Sequence, residues 1–235
     1  VTVPPGYEHL FSETPWRLPH TALVYRANPD AGEVSELPAL AQGCVTFGSL
    51  TRAVRLNERV IRAWAELLKR VPHSRLELNS GNFSQANEQE QWWQRFEALG
   101  IARERVVMGF ESPPWNVLRR IDIALDCFPQ NSGTTLMESL YMGLPFVSLA
   151  GTPSMGTLGA SVLAAVGRPE WIAHSEAEYV DKLVALASDL PRLADIRRRL
   201  RLQMQTSALM DEPGFARDVE DAYDQMFAHW CATSQ

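Results

Sequence analysis

The pattern of hydrophobic and polar residues becomes regular at Gly43, where short apolar runs begin to alternate with longer segments of helical periodicity. Short apolar runs between turn signals are typical of buried strands. They predict strands at 44–48, 74–80, 105–110, 122–127 and 170–173, and one more after the Gly-Leu-Pro turn at 143–145. Strands that alternate with helices at short spacing favour a parallel sheet with helices on both faces. The predicted fold class is therefore α/β, a doubly wound, mostly parallel sheet followed by C-terminal helices.

The two ends of the chain differ from this regular middle. Residues 1–42 contain eight Gly or Pro residues and little periodicity, so they predict an irregular segment along a partner domain, with one short strand within 18–27. Residues 43–235 predict one domain, in which 176–232 form C-terminal amphipathic helices. Because the sequence has no initial Met and starts within a loop-like stretch, we expect a piece of a longer protein.

The stretch from Asp122 to Leu149 carries the clearest candidate site. Its loop 130–135, QNSGTT, combines a glycine with small hydroxyls and precedes a predicted helix. Backbone amides at a helix start lack intrahelical partners, and with the helix dipole they can bind an anion. Glu138 lies one turn inside the helix, where its carboxylate could accept hydrogen bonds from sugar hydroxyls. The alternative is that the loop only caps the helix.

Two other loops should lie at the same edge of the sheet, because such sheets bind ligands outside the carboxyl ends of their strands. The loop 48–56 offers Arg52 and Arg55, whose guanidinium groups could pair with a phosphate or lie at the surface. The loop 109–115 ends in Trp115, whose ring could stack on a base or pack in the core.

Other candidates lie outside these loops. The cluster RRRLR at 197–201 could bind phosphate, but flanking acids favour a solvated helix face. His9 and His20 lie in the irregular segment, where they could approach a second domain or be ordinary surface histidines.

Composition narrows the classes of function. The 235 residues include 28 acidic and 22 basic side chains, and the net charge of −6 disfavours a general nucleic-acid binder. No apolar run approaches the ~18 residues of a transmembrane helix, so no membrane partner is predicted. Three widely separated cysteines indicate neither a disulfide framework nor a metal site, which favours a cytoplasmic location.

Motifs of several other enzyme classes are absent from the sequence. It has no G-x-G-x-x-G, no G-x-x-x-x-G-K-[ST], no G-x-S-x-G and no D-x-D triad. We therefore expect no dinucleotide site, no P-loop and no divalent metal held on a nucleotide-sugar. No cofactor is predicted.

Taken together, these blocks resemble a known family. TTLMESLYMGLPFV resembles the E-[AS]-x-x-x-G-x-P-V signature in the C-terminal half of B-type glycosyltransferases. Over about residues 15–232 the chain resembles the O-linked N-acetylglucosamine transferase family. That family includes plant SPINDLY proteins and bacterial members with tetratricopeptide repeats. The blocks that carry this resemblance are LPHTALVY, CVTFGSL, NERVIRAWAELLKRVPHSRLEL, DIALDCFPQNSGTTLMESLYMGLPFVSLAG, ASVLAAVG and HSEAEYVDKLVALASDL.

The resemblance implies a two-lobed enzyme in which two Rossmann-like lobes face each other. This chain would be the C-terminal lobe of a bacterial-type member and would bind a UDP-sugar, above all UDP-GlcNAc. Transfer would invert the anomeric carbon, need no metal, and act on protein side chains. The implied missing partners are the N-terminal lobe, along which 1–42 would run, and an upstream repeat domain.

The resemblance also assigns site residues. A family Lys that contacts the diphosphate falls on Arg55, which would stabilise the leaving group. The family's following acidic residue, near the ribose, falls on Glu138. The family's phosphate-binding N-G-[GH]-T-T loop falls on Asn131, Ser132, Gly133, Thr134 and Thr135.

Three positions depart from the family pattern. Arg55 replaces a Lys, Thr157 replaces an Arg, and Pro114 stands where a His often packs against uracil, so that Trp115 would stack instead. Two alternatives stay open: a degenerate, non-catalytic nucleotide-sugar-binding or assembly module, and another B-type enzyme acting on a saccharide or lipid. An epimerase would need an acid–base pair near the sugar, and the sequence offers none that is convincing.

Overall fold

The computed structural model describes residues 2–233 and confirms the α/β fold class. Val1, Ser234 and Gln235 belong to the predicted segments 1–42 and 43–235 but lie outside the described residues.

A sheet of six parallel strands in the order β3-β2-β1-β4-β5-β6 forms the centre of the described part of the chain. The chain winds outward from β1 to β3, crosses back to β4 and continues to β6. The winding direction therefore reverses between β1 and β4, whose carboxyl ends border a crevice of the kind that binds ligands. The strands are β1 (Val45–Ser49), β2 (Ser74–Asn79), β3 (Val106–Gly109), β4 (Ile123–Leu125), β5 (Phe146–Leu149) and β6 (Ile172–Ala173).

Helices follow the strands and continue at the C-terminal end. Within residues 2–233 they are α1 (Pro38–Gln42), α2 (Glu58–Arg70), α3 (Ala86–Glu97), α4 (Trp115–Arg120), α5 (Thr134–Tyr141), α6 (Leu158–Ala165), α7 (Glu176–Ala187), α8 (Leu190–Gln205) and α9 (Glu212–Thr233). None of these helices is long and apolar enough to cross a membrane.

The hydrophobic core lies on both faces of the sheet. Every residue of β1, β4 and β5 is buried, as expected for strands covered by helices on both sides. The helix α2 buries one complete face, including Trp64. Asn57 caps this helix, because its side-chain oxygen accepts hydrogen bonds from the amides of Arg59 and Val60.

The predicted strand within 18–27 is not formed. Tyr25 donates one backbone hydrogen bond, 2.7 Å long, to the carbonyl of Leu209. Leu209 belongs to the 3-10 turn Ala208–Met210 rather than to a strand. The segment therefore remains extended but has no strand to pair with, and extended backbone alone does not make a sheet.

Several elements are shorter than the sequence predicts, among them the fourth strand, which covers Ile123–Leu125 instead of 122–127. The amphipathic pattern of 82–100 predicts the third helix, with Gly100 as its C′ residue. A 3-10 turn at Gly81–Ser84 delays this helix to Ala86, and its last residue is Glu97. A second 3-10 turn, Pro169–Trp171, occupies the first half of the sixth strand predicted at 170–173, and only Ile172–Ala173 pair with β5.

The arginine cluster at 197–201 is neither a phosphate patch nor a uniformly solvated face. Arg197 is only 1% exposed and donates to the carbonyls of Ser35 and Ile121. Arg201 donates to the carbonyl of Tyr141. Both side chains point inward because they satisfy backbone acceptors of neighbouring segments. Arg201 also approaches the exposed carboxylate of Glu33, 3.9 Å away, and the two arginines between them pair with Asp195 at the surface.

Candidate functional site

The carboxyl ends of β1 and β4 are joined by side chains rather than by the sheet alone. The hydroxyl of Ser49 donates to the carbonyl of Leu125 over 3.1 Å. Just beyond the two strands, the hydroxyl of Thr51 lies 3.6 Å from the sulfur of Cys127. The loops that follow β1 and β4 therefore start side by side at the reversal point of the sheet.

Asp126 is the central residue beneath this crevice. It is 1% exposed, and its Oδ1 accepts the backbone amides of Cys127 and Ser132, each over 2.8 Å. Its Oδ2 accepts the hydroxyl of Ser148 on β5 over 2.7 Å. Burial raises the pKa of Asp126 to about 7, although these hydrogen bonds and the charge of Arg55 lower it.

Asn131 uses all its polar groups inside the protein. Its backbone amide donates to Met155 and its side-chain amide to the carbonyl of Cys127. Its side-chain oxygen accepts the amide of Gly159, and its carbonyl accepts Nη1 of Arg55 over 3.4 Å. Asn131 thus ties the loop after β4 to three neighbouring segments.

The start of α5 forms the outer surface of the same loop. Gly133 occupies the cap position, and no side chain caps the helix. Thr134 is exposed, whereas Gly133 and Thr135 are half-buried. The first amides of an α-helix have no intrahelical acceptor, so this surface offers donors to an anion.

Arg55 lies beside this helix start. It follows β1 in the 3-10 turn Ala53–Arg55, and its Nη1 reaches the carbonyl of Asn131. Its Nε is buried, yet it has no hydrogen-bond partner among residues 2–233. A cation with an unused donor therefore lies next to the uncapped helix.

Glu138 lies one turn further along α5 and is half-buried, which raises its pKa. Its negative charge acts on Tyr25, whose pKa burial and this charge raise to about 12. The ring of Tyr25 lies 6.2 Å from that of Tyr141. Glu138 is therefore close to the irregular N-terminal segment as well as to the helix start.

Trp115 lies in the hydrophobic core, as the second of its two interpretations expects. It is 6% exposed, and its indole N–H has no hydrogen-bond partner within the described residues. It begins α4 after β3, which is two strands away from β1. In this conformation no face of the ring is open for a base to stack on.

Thr157, one of the three departures from the family pattern, is buried. Its hydroxyl lies 2.5 Å from the carbonyl of Thr2 and 3.1 Å from that of Ser154. The position therefore contributes a hydrogen bond to the local backbone and offers no positive charge.

Of the predicted site residues, the structure brings together Arg55 and the loop 131–135, with Glu138 on the same helix. Asn131 and Ser132 lie underneath, since they are only 0% and 2% exposed. Sequence reasoning missed Asp126, Ser148 and Gly159. A lone acidic residue directly after a buried strand was the available signal for Asp126.

A separate cleft of about 480 Å³ lies between residues 2–22 and α6. His20 lines it, whereas Arg55, Trp115, Glu138 and the loop 131–135 do not. Among residues 2–233, no three His, Cys, Asp or Glu side chains are arranged to hold a metal ion. The imidazole of His20 instead contacts the carboxylate of Asp218, 2.8 Å away, near the start of α9.

The chain is similar to known proteins in both sequence and fold. A family model described as glycosyl transferase family 41 matches residues 35–219. A tomato (Solanum lycopersicum) protein named "Probable UDP-N-acetylglucosamine--peptide N-acetylglucosaminyltransferase SPINDLY" is 35% identical over 97% of this chain. The protein of the same name from Arabidopsis thaliana is 36% identical over the same share. The chain spans only 25% of the length of these relatives.

Solved structures give the same result. A mutant of the Thermobaculum terrenum O-GlcNAc transferase superimposes on 100% of this chain with a TM-score of 0.90 and 30% identity, and the match covers 45% of that protein. The glycosyltransferase WaaG matches with a TM-score of 0.55 at 15% identity, which shows a shared fold only. The family model, the curated relatives and the superposition agree that this chain belongs to glycosyl transferase family 41.

Proposed function

We propose that this chain is the donor-binding lobe of an inverting glycosyltransferase that transfers N-acetylglucosamine from UDP-GlcNAc to protein side chains. The observation that carries the proposal is the uncapped start of α5 beside Arg55, whose Nε has no partner within residues 2–233. A diphosphate would supply the acceptors that both groups lack. The peptide transferase names of the curated relatives support the donor and the protein acceptor.

The geometry suggests how this lobe would assist the reaction. An acceptor hydroxyl or amide attacks the anomeric carbon and loses its proton, and the bond from that carbon to the UDP oxygen breaks with inversion. Negative charge then grows on the leaving diphosphate. The amides of 133–135 and the guanidinium of Arg55 are held in place beforehand, so they can stabilise this charge without reorganisation.

The predicted contact residues divide into two groups under this proposal. Gly133, Thr134 and Thr135 lie at the surface and would contact phosphate. Asn131 and Ser132 are buried and would support the loop instead of touching UDP. Glu138 would approach the ribose, and its half-buried carboxyl is close enough to Tyr25 for their charges to interact.

The remainder of the enzyme lies beyond this chain, which spans 25% of its curated relatives. We propose that an N-terminal lobe supplies the acceptor side and that residues 1–42 run along it. An upstream tetratricopeptide repeat domain would select protein acceptors. We further propose a bacterial-type, cytoplasmic enzyme that needs neither metal nor cofactor.

Calorimetry on the folded chain tests the donor site. UDP and UDP-GlcNAc should both bind, and GDP should bind more weakly if uracil is recognised. Binding of neither UDP nor UDP-GlcNAc, in a sample shown to be folded by circular dichroism, would overturn the proposal. Tighter binding of GDP would retain the diphosphate site but reject the assignment of the nucleotide.

A degenerate binding module is the second candidate, and two buried positions favour it. Trp115 has no open face for a base, and Thr157 offers no cation. Restoring the family residues with Arg55→Lys and Pro114→His in the full-length protein separates the two candidates. UDP-sugar hydrolysis that appears only in the double variant would support degeneration, whereas activity in the wild type would reject it. Saccharide and peptide acceptors assayed side by side would distinguish the acceptor classes.

A further inference from the structure

We propose that Asp126 is a positioning residue, which holds the phosphate-binding loop in place by accepting hydrogen bonds beneath it. This inference rests on the proposed donor function and adds a residue to the same site. Asp126 would not touch UDP, because it is 1% exposed.

Asp126 contacts the loop directly through one carboxyl oxygen. Oδ1 accepts the amide of the next residue, Cys127, and also the amide of Ser132, each at 2.8 Å. This shared acceptor closes the turn 127–132 and fixes the orientation of the Ser132 peptide. The next residues are Gly133–Thr135, whose amides begin α5. The direction of the anion-binding amides therefore depends on the Asp126 carboxyl group.

The carboxyl group of Asp126 is itself held from the side opposite the loop. Oδ2 accepts the Ser148 hydroxyl on β5. A Cβ on Gly159 would lie 2.1 Å from the Ser148 Oγ and 2.7 Å from Oδ2, so only glycine lets α6 begin here. The Gly159 amide also donates to the side chain of Asn131 over 3.2 Å. One glycine thus contacts both the carboxyl group and the loop that it positions.

Substitution of Asp126 would remove the acceptor of two buried amides. Alanine at 126 would leave the buried amides of Cys127 and Ser132 without their acceptor, and burying an unpaired amide is unfavourable. The loop would therefore move to satisfy them. Asparagine keeps the shape: its oxygen can accept both amides, and its nitrogen can donate to the hydroxyl of Ser148.

The same strand provides a matched control. Asp122 precedes β4, is 0% exposed, and accepts the amides of Ala39 at 2.9 Å and Thr46 at 2.8 Å. It lies four residues, roughly 13 Å, before Asp126 along the strand direction. Substituting Asp122 therefore removes a comparable buried acceptor without touching the loop.

The experiment compares D126A, D126N and D122A with the wild type, and it measures UDP affinity by calorimetry and stability by urea unfolding. We expect D126A to weaken UDP binding by about tenfold or more. D126N should stay within about threefold of the wild type, because it restores the hydrogen bonds. D122A should lose stability but bind UDP as the wild type does. A general loss of stability would not produce this separation.

Other outcomes have distinct meanings. Wild-type affinity in folded D126A, or D126N binding as weakly as D126A, would overturn the positioning role alone. Failure of the wild type to bind UDP would overturn the proposed function, and this role with it.

If D126A does not fold, Gly159→Ala provides the test, since its methyl group would displace the carboxyl group. Gly81→Ala is its control, because a Cβ there would meet nothing within 4 Å. Weaker UDP binding by G159A than by G81A would support the role of Asp126, and equal binding would overturn it.

Discussion

The two ends of β4 carry the same residue type in two different settings. Asp122 before the strand and Asp126 after it are both buried, and burial raises the pKa of both. Each also accepts two backbone amides. Burial of a carboxylate, or a shifted pKa, therefore does not by itself mark a functional site.

The two ends of β4 differ in how far the neighbouring arginine is hydrogen-bonded by the protein. Near Asp122, the Arg197 side chain donates through Nε, Nη1 and Nη2 to the Ser35 carbonyl, the Ile121 carbonyl and the Ser35 hydroxyl. Near Asp126, the guanidinium of Arg55 donates one hydrogen bond, 3.4 Å long, and its buried Nε has no partner within residues 2–233. Within residues 2–233 the arginine at the amino end is satisfied by the protein, whereas the arginine at the carboxyl end keeps a donor that the proposed diphosphate would use.

The largest expected effect is a loss of stability without a loss of UDP binding, at the amino end of β4. Arg197→Ala should destabilise the fold by about 3 kcal/mol or more, because it leaves buried carbonyls unpaired and removes a compensating charge. Urea unfolding measures this loss, and the folded fraction should bind UDP normally. Arg198→Ala is the control, since among the described residues the exposed Arg198 side chain forms an ion pair with Asp195 alone. An R197A protein as stable as R198A would contradict the assignment.

A pH dependence is expected at the carboxyl end. The pKa of Asp126 is about 7 in the folded state against a reference value of 3.8, so the folded state holds this proton more tightly. Its contribution to stability should therefore fall as pH rises from about 4 to 7 and stay level above that. Urea unfolding gives the free energy of unfolding of the wild type and of D126N at each pH. The difference, wild type minus D126N, should decline by at most about 1.4 kcal/mol per pH unit. A difference that stays constant or grows with pH would be inconsistent with a carboxyl pKa raised by burial.

Arg55→Ala should affect binding more than stability. Loss of a charged hydrogen-bond donor to phosphate should cost about 1.5–3 kcal/mol, or roughly tenfold or more in UDP affinity. Arg52→Ala is the matched control, because Arg52 carries the same charge in the same loop and is exposed. Calorimetry should show weaker binding only for R55A. Equal losses of UDP affinity in both variants would show that Arg55 contributes only its positive charge and no specific contact.

The smallest expected effect isolates one backbone amide. Thr134 is the first residue of α5, where proline is tolerated in a helix. Thr134→Pro removes the amide N–H and should weaken UDP binding by about 1 kcal/mol, or about fivefold. Thr134→Ala, which keeps the amide, is compared by the same titration. If alanine weakens binding as much as proline does, the hydroxyl rather than the amide makes the contact.

The alternation of apolar runs and helical periodicity was sufficient to predict the sheet, because parallel strands buried on both faces are almost wholly apolar. The cap at Asn57 was also predictable, since capping is local. The strand within 18–27 was not formed, because pairing depends on a distant partner and the nearest segment is a turn.

The candidate site was predictable only where its signal is local in the sequence. A Gly and hydroxyl-rich loop before a helix is a local signal, so the sequence could point to 131–135. It could not indicate that Arg197 is buried, because its acceptors are 162 and 76 residues away along the chain. The partners of Asp126 likewise include Ser148, 22 residues away, so their convergence appears only in three dimensions.

A crystal structure of the chain with UDP bound tests the central claim most directly. The account predicts diphosphate oxygens within hydrogen-bond distance of the amides of 133–135, with the Nε or Nη atoms of Arg55 as further donors. It also predicts that the Asp126 carboxyl group keeps its bond to the amide of Ser132 and does not contact UDP. A diphosphate bound elsewhere, with the start of α5 left empty at saturating UDP, would contradict the account.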